Sequence, residues 1–202
     1  MKVQPVRPGR PRAFDEDAAL EKAMCVFWRK GYDGASMSDL TEAMGINPPS
    51  LYAAFGNKES LFLRVLERYA EGPAAYVMRA LEAPTACEVA ERLLNGAVDS
   101  LRDGARPPGC LAVQEAARCS NDQDPIGQRL SSFRDQIHQA FVQRFKRAKA
   151  EGDLPKNADS AALARYLITV AQGIAVQSTS GTNRAELRKV VQIALHQWPS
   201  MG

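Results

Sequence analysis

Apolar residues recur at helical spacing along almost the whole chain, and no alternating run of β-branched residues is long enough to indicate a strand. Near the start, Leu20, Met24, Phe27 and Trp28 follow the spacing of one helix face. The longest apolar stripe lies within residues 126–145. The pattern predicts an all-α fold of about nine helices, four in the N-terminal part and five after it.

Residues that commonly cap helix N-termini precede most of these helices, because their side-chain oxygens accept hydrogen bonds from the first free backbone N–H groups. The fourth helix is predicted to run unbroken over residues 57–80, and the fifth to end near residue 103. The predicted capping residues are Asp15, Ser36, Asn47, Asn57, Thr85, Asp124, Asp159 and Asn183.

Residues 36–58 have the pattern of a helix-turn-helix unit, in which two short helices meet at a tight turn. The first short helix, over residues 37–44, stops at Gly45, and the second begins at Asn47. The apolar residues of both helices point inward, which leaves the other face of the second helix for the major groove of DNA. The alternative is a helical hairpin that only packs against the rest of the protein.

From Ala13 to Tyr69 the sequence resembles the DNA-binding region of the TetR family of bacterial transcriptional regulators. The resemblance is carried by G-x-x-G-A-S-M-x-x-L, which begins at Gly31, and by M-G-I-x-x-x-S-L-Y-x-x-F-x-N-K-E-x-L, which begins at Met44. It implies a homodimer that places one recognition helix of each subunit in successive major grooves of a palindromic double-stranded DNA operator. It also implies a small-molecule inducer that binds the C-terminal domain and releases the DNA.

The same resemblance assigns a phosphate-contacting tyrosine to Tyr52 and a phosphate-contacting lysine to Lys58. Base-reading positions fall on the start of the second short helix and on Ala54. The candidate DNA-binding residues are Arg10, Arg12, Ser36, Met37, Asn47, Pro48, Pro49, Ser50, Tyr52 and Lys58.

Two consecutive prolines, Pro48 and Pro49, stand where some relatives carry polar side chains. Pro49 disfavours helical geometry at Pro48, which favours a helix that begins one residue later. With few hydrogen-bonding groups, this helix is expected to read thymine methyl groups and groove shape more than individual base edges.

The net charge of +3 is small, and residues 1–72 carry ten basic and ten acidic side chains. DNA affinity must therefore come from local basic groups. Residues 1–12 contain four basic residues and no acidic one. Within this basic, flexible arm, Arg10 and Arg12 are candidates to enter an A/T-rich minor groove. The alternative is a disordered tail with diffuse attraction to phosphates.

Five residues of the C-terminal half are candidates to contact an effector. Cys110 follows Pro107-Pro108-Gly109 at a helix start, where free N–H groups stabilise a thiolate, so a sensor of electrophiles or oxidants is one alternative function. The other reading of Cys110 is a small buried apolar residue. Cys119 is about 13 Å away along a helix, too far for a disulfide. The candidates are Cys110, Gln114, Arg134, His138 and Phe141.

The last two predicted helices are candidates for the dimer contact, with Tyr166 and Trp198 as large anchors. The alternative is that these two helices pack only against other helices of the same chain. The candidate interface residues are Leu163, Tyr166, Leu167, Val170, Ile174, Leu187, Val191, Leu195 and Trp198.

Other classes of protein lack support in the sequence. The two histidines lie far apart, and no HExxH, GxSxG, GxGxxG or P-loop motif is present, so we expect no catalytic site. The four cysteines form no CxxC pair, so we expect no metal and no cofactor. A DNA-binding protein without an effector, of the nucleoid type, is the remaining alternative.

No apolar run reaches the length of a membrane span, and the N-terminus has no apolar segment typical of a secretion signal. We therefore expect a cytoplasmic protein without membrane contact. The predicted organisation is a basic arm (residues 1–12), a helix-turn-helix domain (13–58), a connecting helix (59–82) and an effector-binding and dimerisation domain (83–202).

Overall fold

A computed structural model describes residues 14–102, 106–118 and 125–199. Within these ranges the backbone forms ten α-helices and one 3₁₀ turn and contains no strand, which confirms the all-α class. The helices are α1 (Glu16–Gly34), α2 (Met37–Met44), α3 (Pro48–Phe55), α4 (Lys58–Glu71), α5 (Ala75–Ala80), α6 (Ala86–Asp99), α7 (Leu111–Arg118), α8 (Pro125–Ala150), α9 (Ser160–Thr179) and α10 (Arg184–His196).

The helix starts follow the predicted capping chemistry. At each predicted cap within the described residues, the side chain accepts a hydrogen bond from a backbone N–H in the first turn, which confirms those predictions. Asp124 lies outside the described residues. The confirmed caps are Asp15, Ser36, Asn47, Asn57, Thr85, Asp159 and Asn183.

Three predicted boundaries are wrong. The helix expected over residues 57–80 is two helices, because Gly72 ends α4 and Pro73 has no N–H to continue the hydrogen-bond ladder. Helix α6 ends at Asp99 and passes into the 3₁₀ turn Ser100–Arg102. The delayed start expected from Pro49 does not occur, since α3 begins at Pro48, where the first helical positions need no N–H donor.

Two hydrophobic cores hold the chain together. The N-terminal core combines the inner faces of α1 to α4 with Leu111 of α7 and with Ile126 and Leu130 of α8. Its aromatic centre includes Phe27, whose ring meets that of Phe62 edge-on at 4.9 Å between centroids. Because α7 and the start of α8 complete this core, the C-terminal part of the chain is packed directly onto the N-terminal helices.

The C-terminal core is built around α6, which contacts α5, α8, α9 and α10. Phe141, Phe145 and Trp198 pack together there, with the Phe145 and Trp198 ring centroids 5.3 Å apart. The Arg144 guanidinium lies in this core and donates to the carbonyls of Ala83 and Pro84 at 2.8 Å. None of the described helices is both long and apolar enough to cross a membrane.

Candidate nucleic-acid interface and adjoining cavity

The turn between α2 and α3 is fixed by local hydrogen bonds. At the start of α2, Ser36 and Asp39 form a capping box, in which each side chain accepts the other's backbone N–H at 3.0 Å. At its end, Gly45 adopts the left-handed conformation (φ 72°, ψ 31°) and donates to the carbonyls of Thr41 and Glu42. The polypeptide then turns into α3 at Asn47, as the helix-turn-helix pattern predicts.

Helix α3 is held firmly against the N-terminal core. Its inner residues Leu51 and Phe55 are buried. The Arg64 guanidinium of α4 lies 4.8 Å from the Phe55 ring centroid and donates to the Ala54 carbonyl at 3.3 Å. The same guanidinium is 3.2 Å from a Glu16 carboxylate oxygen of α1. Helix α4 therefore fixes the orientation of α3, through an arginine that is itself held by α1.

The outer face of α3 carries few free hydrogen-bonding groups. Tyr52 is 52% exposed, and Pro48 and Pro49 are exposed at the helix start. The Asn47 side-chain oxygen is occupied, because it accepts from the Ser50 N–H at 2.8 Å. This face therefore offers the Tyr52 hydroxyl, the Asn47 amide nitrogen and the half-buried Ser50 beside apolar proline surface. Such a mainly apolar face suits groove shape and methyl contacts.

Lys58, the first residue of α4, is positioned by the end of α1. Its ammonium nitrogen lies 4.6 Å from the Tyr32 ring centroid and 3.5 Å from the Asp33 carbonyl oxygen. Both contacts restrict a flexible side chain without neutralising its charge. Among the other DNA-binding candidates, Ser36 is occupied as a cap and Met37 is half-buried against the N-terminal core. Arg10 and Arg12 lie outside the described residues.

An ion pair joins α1 to α2 beside this surface. The Lys30 ammonium is 2.6 Å from an Asp39 carboxylate oxygen. This hydrogen bond, together with those from the Ser36 N–H and hydroxyl, lowers the pKa of Asp39 from its usual 3.8 to about 2. The carboxylate therefore stays ionised and keeps the α2 cap closed through the whole neutral range.

A buried carboxylate links α7 to the end of α1. Helix α1 is interrupted at Gly31 (φ 76°, ψ 172°), and the next backbone N–H, that of Tyr32, donates to Glu115 Oε1 at 3.0 Å. Arg118, one turn further along α7, is 3.6 Å from Glu115 Oε2 and also donates to the Arg29 carbonyl. Burial raises the pKa of Glu115, while the Tyr32 N–H and Arg118 oppose that rise.

A cavity of about 90 Å³ lies where α4 to α9 converge. Its walls are mainly aliphatic and aromatic, from residues such as Leu93, Ile137 and Ile168. The polar side chains that line it are Tyr69, Tyr76, Cys110, Arg134 and Gln172. Its lining includes Tyr69 in the last turn of α4 and Cys110 immediately before α7. The cavity therefore contacts two elements that pack against the other N-terminal helices.

Cys110 lines this cavity as a neutral thiol. The Tyr69 hydroxyl donates to its sulfur at 3.0 Å. Burial raises the pKa of Cys110, and this outweighs the opposing effects of the Tyr69 hydroxyl and of the N–H groups of Val113 and Ala112. These surroundings favour the neutral thiol over the thiolate. Cys119 lies outside the described residues.

Of the other effector candidates, the structure brings only Arg134 to the cavity with Cys110. The Gln114 amide donates to the Pro108 carbonyl at 2.8 Å and faces a groove between α1 and α9. His138 is half-buried and lines none of the described cavities, and Phe141 is fully buried in the C-terminal core. Among the described residues, no three His, Cys, Asp or Glu side chains are grouped to hold a metal ion.

The apolar stripes of α9 and α10 point into the chain's own core. Of the candidate interface residues, Tyr166 is 39% exposed, and Leu163, Val170 and Leu195 are half-buried. The other candidates are buried within the described part of the subunit, where they pack in the C-terminal core. These are Leu167, Ile174, Leu187, Val191 and Trp198.

A firmly oriented helix on a helix-turn-helix unit, joined to a helical domain with an apolar cavity, defines a DNA-binding transcriptional regulator. The N-terminal residues 19–65 match the family described as bacterial regulatory proteins, tetR family. Residues 89–198 match the tetracyclin repressor-like C-terminal domain. The chain belongs to the TetR family.

Relatives extend over nearly the whole chain. The HTH-type transcriptional repressor ComR of Escherichia coli strain K12 is 34% identical, over 96% of this chain and 93% of ComR. A cysteine mutant of the TetR family regulator CifR, complexed with 26-base-pair operator DNA, is 42% identical with a TM-score of 0.87, over 95% of this chain and 100% of CifR. A putative TetR regulator from Rhodococcus sp. RHA1 is 40% identical with a TM-score of 0.64, over 91% of this chain and 98% of that one.

Proposed function

We propose that this protein is a repressor that binds a palindromic DNA operator as a homodimer and is released by a small molecule in the cavity. It acts by binding alone, in the cytoplasm, and catalyses no reaction. The observation that carries the proposal is that one cavity is bounded by Tyr69 of α4 and by Cys110 at the start of α7. Both helices lead directly to the DNA-facing surface.

The route from cavity to DNA consists of contacts between rigid elements. Helix α7 begins at the cavity and ends at Glu115 and Arg118, which bind the backbone of α1. Tyr32, at that junction, positions Lys58. A ligand that binds one arrangement of α7 more tightly shifts the population toward it, typically by about 1–3 kcal/mol of coupling. The presence of this cavity favours an effector-controlled regulator over a DNA-binding protein without an effector.

On the DNA side, Tyr52 and Lys58 contact phosphates, and the start of α3 reads the groove. Lys58 is suited to this because its partners are a ring and a carbonyl, which leave its positive charge available. Arg10 and Arg12 enter the minor groove beside the half-site and recognise its A/T-rich sequence there. Deleting residues 1–12 is expected to remove footprint protection in the flanking minor groove, and unchanged protection would disprove that contact.

The homodimer forms through the outer surfaces of α9 and α10. Both helices pack on α6, yet each leaves large apolar side chains exposed: Tyr166 and Val176 on α9, and Val190 and Ile193 on α10. Exposed apolar groups of this size favour burial against a second copy. We therefore place the subunit contact on these side chains, with Leu163, Val170 and Leu195 at its margin.

Binding-site selection from random DNA tests the DNA-binding part of the proposal. The expected result is a palindrome whose half-site centres lie about one helical turn, roughly 34 Å, apart. Light scattering at micromolar concentration is expected to give a dimer. Selection of no sequence, or a monomer that binds a single half-site, would contradict the proposal.

A further inference from the structure

The polar side chains of the cavity fall into two groups. Tyr69 and Cys110 satisfy each other through the hydroxyl-to-sulfur hydrogen bond of 3.0 Å. The Tyr76 phenol lies near Ser100, whose hydroxyl donates to the Ala97 carbonyl at 2.8 Å. The Tyr69 phenol and the Cys110 thiol are therefore engaged with each other, and neither carries a charge that would attract an ionic ligand.

Arg134 of α8 and Gln172 of α9 form the second group. Within the described part of the chain, neither side chain has a hydrogen-bond or ion-pair partner. Both are half-buried, and they line one cavity from two helices that pack against each other. A guanidinium offers up to five donors in a planar fork, and a carboxamide adds two more. An unpaired cation beside apolar walls favours an anion with two acceptor oxygens.

The size of the cavity limits the apolar part of the ligand. An engineered apolar cavity of about 150 Å³ holds one benzene molecule. The cavity of about 90 Å³ is smaller. A short, flexible aliphatic chain fits such a space more easily than a rigid aromatic ring does.

Resting on the proposed function, we infer that the effector is a short-chain aliphatic monocarboxylate. Its hydrocarbon chain lies against residues such as Leu93, Ile137 and Ile168, and its carboxylate binds Arg134 and Gln172. The inference assigns Arg134 the dominant role in ligand selection, because charge-assisted hydrogen bonds are the stronger ones.

The test compares pentanoate with its neutral isostere pentanamide. Calorimetry on the full chain at millimolar ligand is expected to show pentanoate binding about tenfold or more tightly than pentanamide. Lengthening the acid from propanoate to pentanoate is expected to strengthen binding about fourfold per methylene group. Arg134→Gln is expected to remove the preference for the acid.

Arg129→Gln is the matched control, since Arg129 is exposed on the same helix and lines a different groove. It is expected to bind pentanoate as wild type does. Equal affinity for acid and amide, no binding of either, or an unchanged preference in Arg134→Gln would overturn the inference. Binding of the protein to the selected operator, measured by fluorescence anisotropy without ligand, distinguishes failure of this inference from failure of the proposed function. If the protein binds the operator but not pentanoate, only the inference about the effector is wrong. If the protein does not bind the operator, the proposed function is wrong.

Discussion

The Glu115 carboxylate accepts the backbone N–H of Tyr32 at 3.0 Å, across 83 residues of sequence. The same carboxylate is buried and paired with Arg118. A buried acceptor that serves a single backbone donor gives this junction a defined geometry. The Lys58 ammonium lies over the Tyr32 ring, so this hydrogen bond also helps to position a candidate phosphate-contacting residue.

Replacement of Glu115 separates its hydrogen bond from its charge. Glu115→Ala is expected to lower the free energy of unfolding by about 1–3 kcal/mol, because the Tyr32 N–H loses its partner. Glu115→Gln keeps an acceptor oxygen and is expected to retain most of the stability. Urea unfolding measures both, and equal losses in the two variants would contradict the hydrogen-bond interpretation.

The raised pKa of Glu115 gives this pair a pH dependence. The folded state holds the proton more tightly than the unfolded chain, so this group's stabilising effect is full at low pH and lost as pH rises through the raised pKa. Glu115→Gln is therefore expected to gain stability relative to wild type as pH increases. A constant difference between the two proteins from acid to neutral pH would contradict the raised pKa.

Lys58→Ala is expected to weaken operator binding. The slope of the logarithm of the binding constant against the logarithm of the salt concentration is expected to become shallower by about 1 per subunit, because one phosphate contact is lost. Lys156→Ala is the control, since Lys156 is exposed in the loop before α9. Fluorescence anisotropy over a series of salt concentrations measures both. An unchanged slope in Lys58→Ala would show that the ammonium does not contact phosphate.

Gly96→Ala tests the wall of the cavity. An added Cβ would lie 2.5 Å from Cδ2 of the Tyr76 ring, so the ring has to move. We expect a loss of about 1–3 kcal/mol in the free energy of unfolding, despite the better helix propensity of alanine. In a Tyr76→Leu background, Gly96→Ala is expected to cost clearly less. Additive effects of the two substitutions would contradict this contact.

Ile193→Asp tests the subunit contact. Ile193 is 67% exposed, so within an isolated subunit the change is expected to alter stability by no more than about 0.5 kcal/mol. In a dimer it would bury an unpaired charge, and light scattering is expected to show monomers. Gln143→Asp, on an exposed position of α8, is expected to remain dimeric. A dimer that survives Ile193→Asp would place the contact elsewhere.

Lys30→Ala is expected to raise the pKa of Asp39 from about 2 toward its ordinary value of 3.8. The sign follows from the lowered pKa: the ionised carboxylate stabilises the fold above the ordinary value, and this contribution is lost as pH falls through about 2. Proton titration of the side chain followed by NMR measures the shift. A pKa that stays near 2 without Lys30 would assign it to the capping hydrogen bonds alone.

Sequence reasoning succeeded where the determinants are local. A side-chain oxygen at Ser36, Asn47 or Asp159 caps the helix that follows it whatever the rest of the chain does, and these starts were predictable. The break at Gly72-Pro73 has an equally local signal, since proline cannot continue a helix.

The cavity and the subunit surface could not be predicted in this way. Leu167 and Leu187 have the composition of an interface stripe, but the same stripe can face the chain's own core, and only packing decides between the two. Tyr69 and Gln172 lie in ordinary helical positions. Their shared cavity arises from the convergence of several helices, which no local pattern records.

The completion of the N-terminal core by Leu111 and Ile126 has a consequence for protein engineering. A chimaera that joins this DNA-reading head to another regulator's sensory half would need more than a matched linker. It would also need an apolar side chain equivalent to Leu111 and a carboxylate equivalent to Glu115 on the incoming helix. Without them, the transplanted DNA-binding domain would lack part of its hydrophobic core and the hydrogen bond that joins it to the sensory domain.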